Sequence, residues 1–243
     1  MLAEGRQLQA FLVGNSIPAK IIGGVAIRLR CPSMPLLGLD REYRDLDICA
    51  RARDAKEIEA AMATLGFAPH LHFNAANYGH QQMFTNEESG VHVDVFLDEL
   101  RMCQTLKLSD RLTLDDHCSL VVSDLALSKL QIVELTDRDK TDLLAIFLDH
   151  EATPDSESGL NTTRVCDVCR ANWGWWKSTT TSLEACRAYA PSCLSASDQQ
   201  RAIARIDSLQ SAIEATPKTM KWKARARIGT RATWYELPEP GHS

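Results

Sequence analysis

Two short apolar segments that carry aspartates in a strand pattern constrain this chain more than any other feature. In the first, Asp45 and Asp47 alternate with apolar residues, so a strand would direct both carboxylates to one face. In the second, residues 91–97, Asp94 is the one acid among mostly apolar neighbours. Because a strand must bury its apolar side, the pattern predicts a sheet with one apolar face and one face that carries carboxylates.

The elements around these strands predict an α+β fold. In chain order they are a helix at 4–13, a strand at 19–22, a helix at 54–65, a hairpin turn at 86–90 and helices from 123 onward. This order predicts a short mixed sheet flanked by helices and followed by a C-terminal helical domain.

A stretch without apolar periodicity, residues 151–159, predicts a linker between domains 1–150 and 160–243. Beyond it, amphipathic helices are predicted at 165–188 and 197–215, with tryptophans in a small helical core.

The carboxylates and a glycine pair predict phosphate chemistry. Gly23 and Gly24 follow a predicted strand and open a helix, where backbone N–H groups can approach a phosphate. Asp45, Asp47 and Asp94 supply the hard oxygen ligands that a pair of magnesium ions requires. Together these residues predict a site that holds two Mg²⁺ ions and positions a phosphoryl group for in-line attack.

The motifs at residues 22–26, 44–48 and 93–96 resemble those of the DNA polymerase beta-like nucleotidyltransferases. That family has a hydrophobic residue with Gly-Gly or Gly-Ser, then Asp-x-Asp, then a distant third Asp. The likeness is closer to the abortive-infection toxin type and related nucleotidyltransferase-like proteins, and it covers about residues 19–149. Many members carry Ser or Thr two residues before the first Asp, where this chain has Tyr43.

The resemblance implies an activity and a set of site residues. It implies transfer of a nucleoside monophosphate from a nucleoside triphosphate to a hydroxyl, with metal ligands Asp45, Asp47 and Asp94. It also implies Lys129 near the triphosphate and the possibility of an antitoxin partner. The acceptor stays open between a tRNA end, a protein side chain and a small molecule. The alternative is a catalytically inactive module of this fold that binds RNA or a partner protein.

The basic residues near these motifs each have two interpretations. Arg44 and Arg41 either neutralise phosphate or offset nearby acids, and the phosphate role is favoured for Arg44. Lys129 either meets the triphosphate or lies on a helix surface. Asp142 is expected to pair with Lys129 or Lys140 on adjoining helical faces.

The cysteines are expected to be thiols or metal ligands and not disulfides, because the start of the chain lacks the pattern of a secretion signal. Cys166, Cys169, Cys186 and Cys193 resemble a loose four-thiolate zinc site. The spacing of the first two also places both thiols on one buried face of a helix, and this packing role is favoured.

Composition and charge exclude some functional classes. No apolar run approaches the roughly 20 residues that span a bilayer, so a cytoplasmic location without membrane contact is expected. The formal net charge of −5 argues against a protein that coats nucleic acid non-specifically, although it is compatible with a local basic patch. A basic, aromatic segment at 217–235 either contacts RNA or docks on the catalytic domain through its tryptophans, and docking is favoured.

Overall fold

The computed structural model divides the chain into two compact units. It describes residues 1–115, 117–156 and 158–237. The first unit comprises residues 1–29, 41–100 and 105–120, and the second comprises 30–40, 101–104 and the chain from 121 onward. The sequence predicts a division at 151–159 instead. Glu157 of that predicted linker and residues 238–243 of the predicted second domain lie outside the described residues.

A mixed sheet forms the centre of the first unit. Its elements are α1 (Leu2–Gly14), β1 (Ala19–Ile21), α2 (Gly23–Arg30), β2 (Asp45–Ala50), α3 (Ala55–Thr64), β3 (Ala68–Pro69), α4 (Leu71–Ala76), β4 (Gln81–Asn86), β5 (Val91–Leu97), β6 (Glu99–Arg101) and β7 (Thr105–Lys107). The last residue of α2 and the last residue of β6 are grouped with the second unit. The strand order is β1-β2-β5-β4-β3, and β6 pairs separately with β7. Within the five-stranded sheet β2 and β5 run parallel, and the other neighbours run antiparallel. The predicted α+β class is confirmed.

The apolar face of the sheet fixes how its strands align. Leu46 and Val93 are register partners and are almost fully buried on this face. Helix α1 covers it closely, since a Cβ added at Gly5 would lie 2.9 Å from Leu46 Cδ1 and 3.3 Å from Ile21 Cδ1. A slip by one residue would turn Leu46 outward and Asp47 inward, so apolar burial specifies the register.

The β4–β5 hairpin has its turn where the sequence predicts it. Asn86 Oδ1 accepts hydrogen bonds from the backbone N–H groups of Glu88 (3.1 Å) and Ser89 (3.0 Å). Gly90 has φ +71°, a conformation that glycine adopts without steric cost. The predicted turn at 86–90 is therefore confirmed.

The second unit is mainly helical. Its elements are α5 (Val122–Leu130), α6 (Asp137–Asp149), β8 (Ala152–Thr153), β9 (Leu160–Asn161), α7 (Thr162–Ala171), α8 (Trp173–Cys193), α9 (Ala196–Ala215) and α10 (Met220–Ala226). Helix α8 packs against α6, α7 and α9. Thr136 begins α6 with a capping box in which its side chain and that of Asp139 satisfy each other's backbone N–H groups.

One helix prediction is wrong and another is confirmed. The helix predicted at 165–188 is two helices, because Asn172 has extended backbone angles (φ −134°, ψ 124°). Its side chain caps the second helix by accepting a hydrogen bond from Gly174 N at 2.7 Å. The helix predicted at 197–215 corresponds to α9.

The described helices include none that combines the length and the apolar character needed to cross a bilayer.

Candidate active site

The register between β2 and β5 brings two of the predicted carboxylates side by side. Asp47 pairs with Asp94, and Asp45 pairs with His92. Neighbouring strands lie about 4.8 Å apart and side chains alternate between faces, so all four side chains share the face opposite Leu46. Asp47 and Asp94 are half-buried, whereas Asp45 and His92 are exposed.

Gly23 lies directly against the Asp47 carboxylate. A Cβ added at Gly23 would overlap Asp47 Oδ2 and would lie 3.0 Å from Asp47 Cγ. Gly23 has φ +65°, which also favours glycine. The turn is tied to β2 by a hydrogen bond from Ile22 N–H to Asp47 O at 2.9 Å. Close approach of the backbone to this carboxylate therefore depends on the missing side chain.

Gly24 opens the first turn of α2 and faces a stacked pair of side chains. A Cβ added there would overlap the Arg41 guanidinium and would lie 3.2 Å from Tyr43 Cε1. The Arg41 guanidinium carbon lies 4.6 Å from the centre of the Tyr43 ring, within the range of a cation–π contact. Arg44, which the sequence favours for phosphate contact, is exposed. The structure thus brings Arg41 to the glycine turn.

Gln81 is a site residue that sequence reasoning missed. Its side-chain Nε2 donates a hydrogen bond to Asp94 Oδ1 at 2.9 Å, and the residue is only 7% exposed. The amide group therefore orients the carboxylate. The predicted hairpin turn held the signal, because the register that it sets brings Met83 opposite Asp94 and Gln81 two residues further along the same face.

A buried lysine, also missed, lies on the carboxylate face at the edge of the sheet. Lys20 pairs in register with Cys49, which follows Asp47 by two residues. Its ammonium group contacts Asp115 Oδ1 at 2.5 Å and donates to His117 O at 2.6 Å. Burial acts to raise the pKa of Asp115, but hydrogen bonds from Lys20, Thr113 and the His117 N–H outweigh it and lower the pKa to about 2. The ion pair attaches the segment that carries Asp115 to β1.

The donor set fits magnesium in its chemistry, but the three predicted ligands do not converge. Asp47 and Asp94 offer adjacent hard oxygens beside a bare glycine backbone. Within residues 1–115, 117–156 and 158–237, no three His, Cys, Asp or Glu side chains come together closely enough to hold a metal ion. The site is therefore a carboxylate pair with Asp45 exposed two residues along β2, and the two-ion magnesium site stays a prediction.

Lys129, the lysine predicted near phosphate, belongs to an ion cluster in the second unit. Its ammonium group lies 2.7 Å from Asp139 Oδ1 and 3.2 Å from Asp142 Oδ2, and Asp142 is fully buried. Burial acts to lower the pKa of Lys129, but attraction to Asp142 and Asp139 outweighs it and raises the pKa. Lys140 pairs with Asp137 instead. The predicted pairing of Asp142 with Lys129 is confirmed, and the phosphate role of Lys129 stays a prediction.

The four C-terminal cysteines occupy the helical unit as thiols. Burial raises the pKa of Cys169 and of Cys186 to about 12 in each case, so both groups are protonated at neutral pH. Cys166 is also buried, and Cys193 is half-buried. Burial of Cys166, Cys169 and Cys186 fits the packing role that the sequence favours, and the zinc site stays an untested alternative.

Comparison with known proteins adds a loose structural likeness. No family model and no curated protein matches the chain. One solved structure similar to it is the solution structure of the antibiotic-resistance factor ANT(2'')-Ia, which is described as showing substrate-regulated conformation dynamics. The two chains are 12% identical, the likeness covers 88% of this chain and 93% of the other, and the TM-score is 0.36. At that score the fold assignment stands on the strand order and register of this chain itself.

Gly23→Ala is expected to destabilise the protein more than Gly79→Ala. Both glycines have positive φ, so alanine adds a backbone cost of about 1–2 kcal/mol at each. Gly79 has nothing within 4 Å of an added Cβ, whereas Gly23 would collide with Asp47 and should lose a further ~1–3 kcal/mol. Urea denaturation measures the difference. Adding Asp47→Ala to the Gly23→Ala variant should remove most of its additional loss of stability, because the colliding carboxylate is then absent. Equal losses of stability in the two glycine variants would contradict the close contact between Gly23 and Asp47.

Lys129→Met is expected to lower the free energy of unfolding by about 3–5 kcal/mol, because it leaves two largely buried carboxylates without their cation. Lys140→Met, whose partner Asp137 is exposed, is the matched control and should have a much smaller effect.

The difference between these two variants should also depend on pH. Asp139 has a pKa below its ordinary value of 3.8. Its contribution to the free energy of unfolding is therefore fully present above pH 3.8 and is lost as the pH falls through the pKa of the folded state. Lys129 has a pKa above 10.5, so its contribution is present below 10.5 and is lost as the pH rises through its folded pKa. Denaturation at a series of pH values measures both limbs, and a gap that does not change with pH would refute the ion cluster.

Proposed function

We propose that the carboxylate face of β2 and β5 transfers a nucleoside monophosphate from a nucleoside triphosphate to a hydroxyl acceptor, with release of pyrophosphate. The observation that carries the proposal is the pairing of Asp47 with Asp94 directly beside the Gly23 turn. Two adjacent carboxylates at the start of a helix bring a cation-binding group and a phosphate-binding group together, and phosphoryl transfer needs both.

Asp94 is the proposed general base. In the reaction, the acceptor hydroxyl gives its proton to the Asp94 carboxylate as its oxygen bonds to the α-phosphorus. The bond from that phosphorus to the bridging oxygen breaks, and pyrophosphate leaves with the electron pair. The hydrogen bond that Gln81 donates to Asp94 Oδ1 fixes the orientation of the carboxylate. That orientation defines the direction from which the carboxylate accepts the proton.

The glycine turn and Arg41 are the proposed triphosphate contacts. The first N–H groups of α2 have no acceptor within the helix, so they are available to phosphate oxygens. Arg41 lies against Gly24 with its guanidinium stacked on Tyr43, a geometry that presents a planar cation to the same turn. Arg44 and Lys129 remain proposed contacts on the basis of the sequence.

Asp45, Asp47 and Asp94 are the proposed ligands of two magnesium ions, which would neutralise charge on the phosphate oxygens. Asp47 and Asp94 are already adjacent. Asp45 is exposed on the same face, so a change of its side-chain rotamer brings a third oxygen donor toward the pair.

The alternative function is a non-catalytic module that binds RNA or a partner protein. The observation that favours it is the lack of three converging ligands in the described residues. It predicts ligand binding that does not need the carboxylates, so the same variants separate the two functions.

Asp47→Asn and Asp94→Asn are expected to reduce magnesium-dependent pyrophosphate release by at least about 100-fold, since they remove a ligand or the base without changing side-chain size. Thermal-shift measurements with each of the four nucleoside triphosphates, with and without Mg²⁺, first identify the nucleotide that raises the melting temperature. Incubation of the labelled nucleotide with candidate RNA, protein and small-molecule hydroxyl acceptors then measures transfer.

Asp110→Asn, at an exposed aspartate of the same unit, is the matched control and should retain activity. Magnesium-dependent turnover that survives in Asp47→Asn would refute the proposed site. A wild-type protein without turnover, whose RNA or protein binding is unchanged in both variants, would establish the alternative.

A further inference from the structure

The segment from residue 215 to residue 235 concentrates positive charge in an otherwise acidic protein. It contains six lysines and arginines and no aspartate or glutamate, although the whole chain has a formal net charge of −5. Its helix, α10, begins at the N-cap Thr219, whose side chain accepts a hydrogen bond from Trp222 N. The segment is thus folded, so each of its cations has a defined position, either in contact with the protein or exposed to solvent.

The aromatic residues of this segment are directed into the second unit. Trp222 meets Trp176 of α8 edge-on with ring centres 5.3 Å apart, and Trp234 meets Trp173 at 5.9 Å. The Trp234 carbonyl also accepts a hydrogen bond from Gln104 Nε2 at 2.8 Å. The segment docks through its tryptophans, but on α8 and Gln104 of the second unit and not on the catalytic domain that the sequence predicts. These rings hold the segment in place and do not offer an open surface for stacking bases.

Two of the six cations serve the same internal purpose. Arg225 lies over the Trp173 ring at 4.7 Å and donates hydrogen bonds to Gly229 O (2.6 Å) and Ala232 O (2.7 Å). Lys218 donates to the carbonyl of Thr216 at 2.9 Å, at the end of α9. These two side chains therefore bind backbone carbonyls within the protein.

The other four cations point outward. Lys221, Lys223, Arg227 and Arg231 are all exposed. Among the residues that the structure describes, none of the four forms a salt bridge. We call these four residues the basic face. Like charges gathered on a short segment repel one another, and a polyanion relieves that repulsion while it releases its own counterions.

We propose that the basic face binds the phosphate backbone of RNA without regard to sequence. Long exposed cations without a fixed pocket suit a flexible chain of phosphates, which they can contact at several points. An anionic membrane is a poorer fit. Helix α10 has only seven residues, and its tryptophans are turned into the protein, so it lacks the broad apolar face that a membrane-bound helix requires. This inference does not rest on the function proposed for the carboxylate site.

Charge reversal at the basic face tests the proposal. The variant carries Lys221→Glu, Lys223→Glu, Arg227→Glu and Arg231→Glu, and a second variant carries glutamine at the same positions in case the first is poorly folded. The matched control carries Arg6→Glu, Lys56→Glu, Lys107→Glu and Arg138→Glu, which are exposed residues elsewhere and give the same change in net charge. Circular dichroism checks that all are folded.

Fluorescence anisotropy with labelled oligouridylate and oligoadenylate measures binding over a range of salt. The wild type should bind both equally, with a slope of log K against log salt of about −3 for four phosphate contacts on a single strand. The basic-face variants should bind at least about tenfold more weakly with a shallower slope, and the control should bind like the wild type. Equal loss in the control and the basic-face variants, no binding by the wild type, or binding to phosphatidylserine vesicles but not RNA would each overturn the proposal.

Discussion

The parallel pairing of β2 with β5 is the constraint on which the first unit depends. Each strand has apolar residues at alternate positions, and burial of Leu46 and Val93 on the apolar face leaves one favourable register. In that register Asp47 and Asp94, which occupy the remaining alternate positions, necessarily lie side by side on the opposite face. The hydrophobic core therefore sets the geometry of the polar site, although none of its atoms takes part in the proposed chemistry.

Two carboxylates side by side are unfavourable for folding, since like charges directly opposite each other in a sheet repel. The chain keeps them next to groups that tolerate or orient them. Gly23 removes a side chain that would collide with Asp47, and Gln81 donates a hydrogen bond to Asp94. A polar face that is costly to form and oriented by its neighbours is what a cation-binding or phosphate-binding site requires, and proteins commonly accept such a loss of stability at functional sites.

The second unit uses lysine and arginine side chains in different roles, and the burial of each side chain determines its role. Lys129 is enclosed with Asp139 and Asp142, so its charge stabilises the contact between α5 and α6. Arg225 lies over Trp173 and binds backbone carbonyls, so it stabilises the terminal segment. The exposed cations of that segment have no such internal partner among the described residues, and they are the ones that remain for a ligand.

Local patterns in the sequence determined the α+β class, the β4–β5 turn, α9 and the common face of Asp45 and Asp47. Strand periodicity, turn residues and helix caps act within a few residues, so they can be interpreted without the fold. Asn172 is also a local signal, since asparagine favours helix N-caps, although the apolar pattern across 165–188 predicts a single helix. Tertiary structure alone decided that Arg41 rather than Arg44 lies against Gly24, that Lys20 pairs with Asp115, and that α5 and α6 group with the C-terminal helices. Those contacts join residues that are far apart in sequence, and they depend on the path of the intervening loops and on which surfaces pack together, neither of which a short sequence pattern encodes.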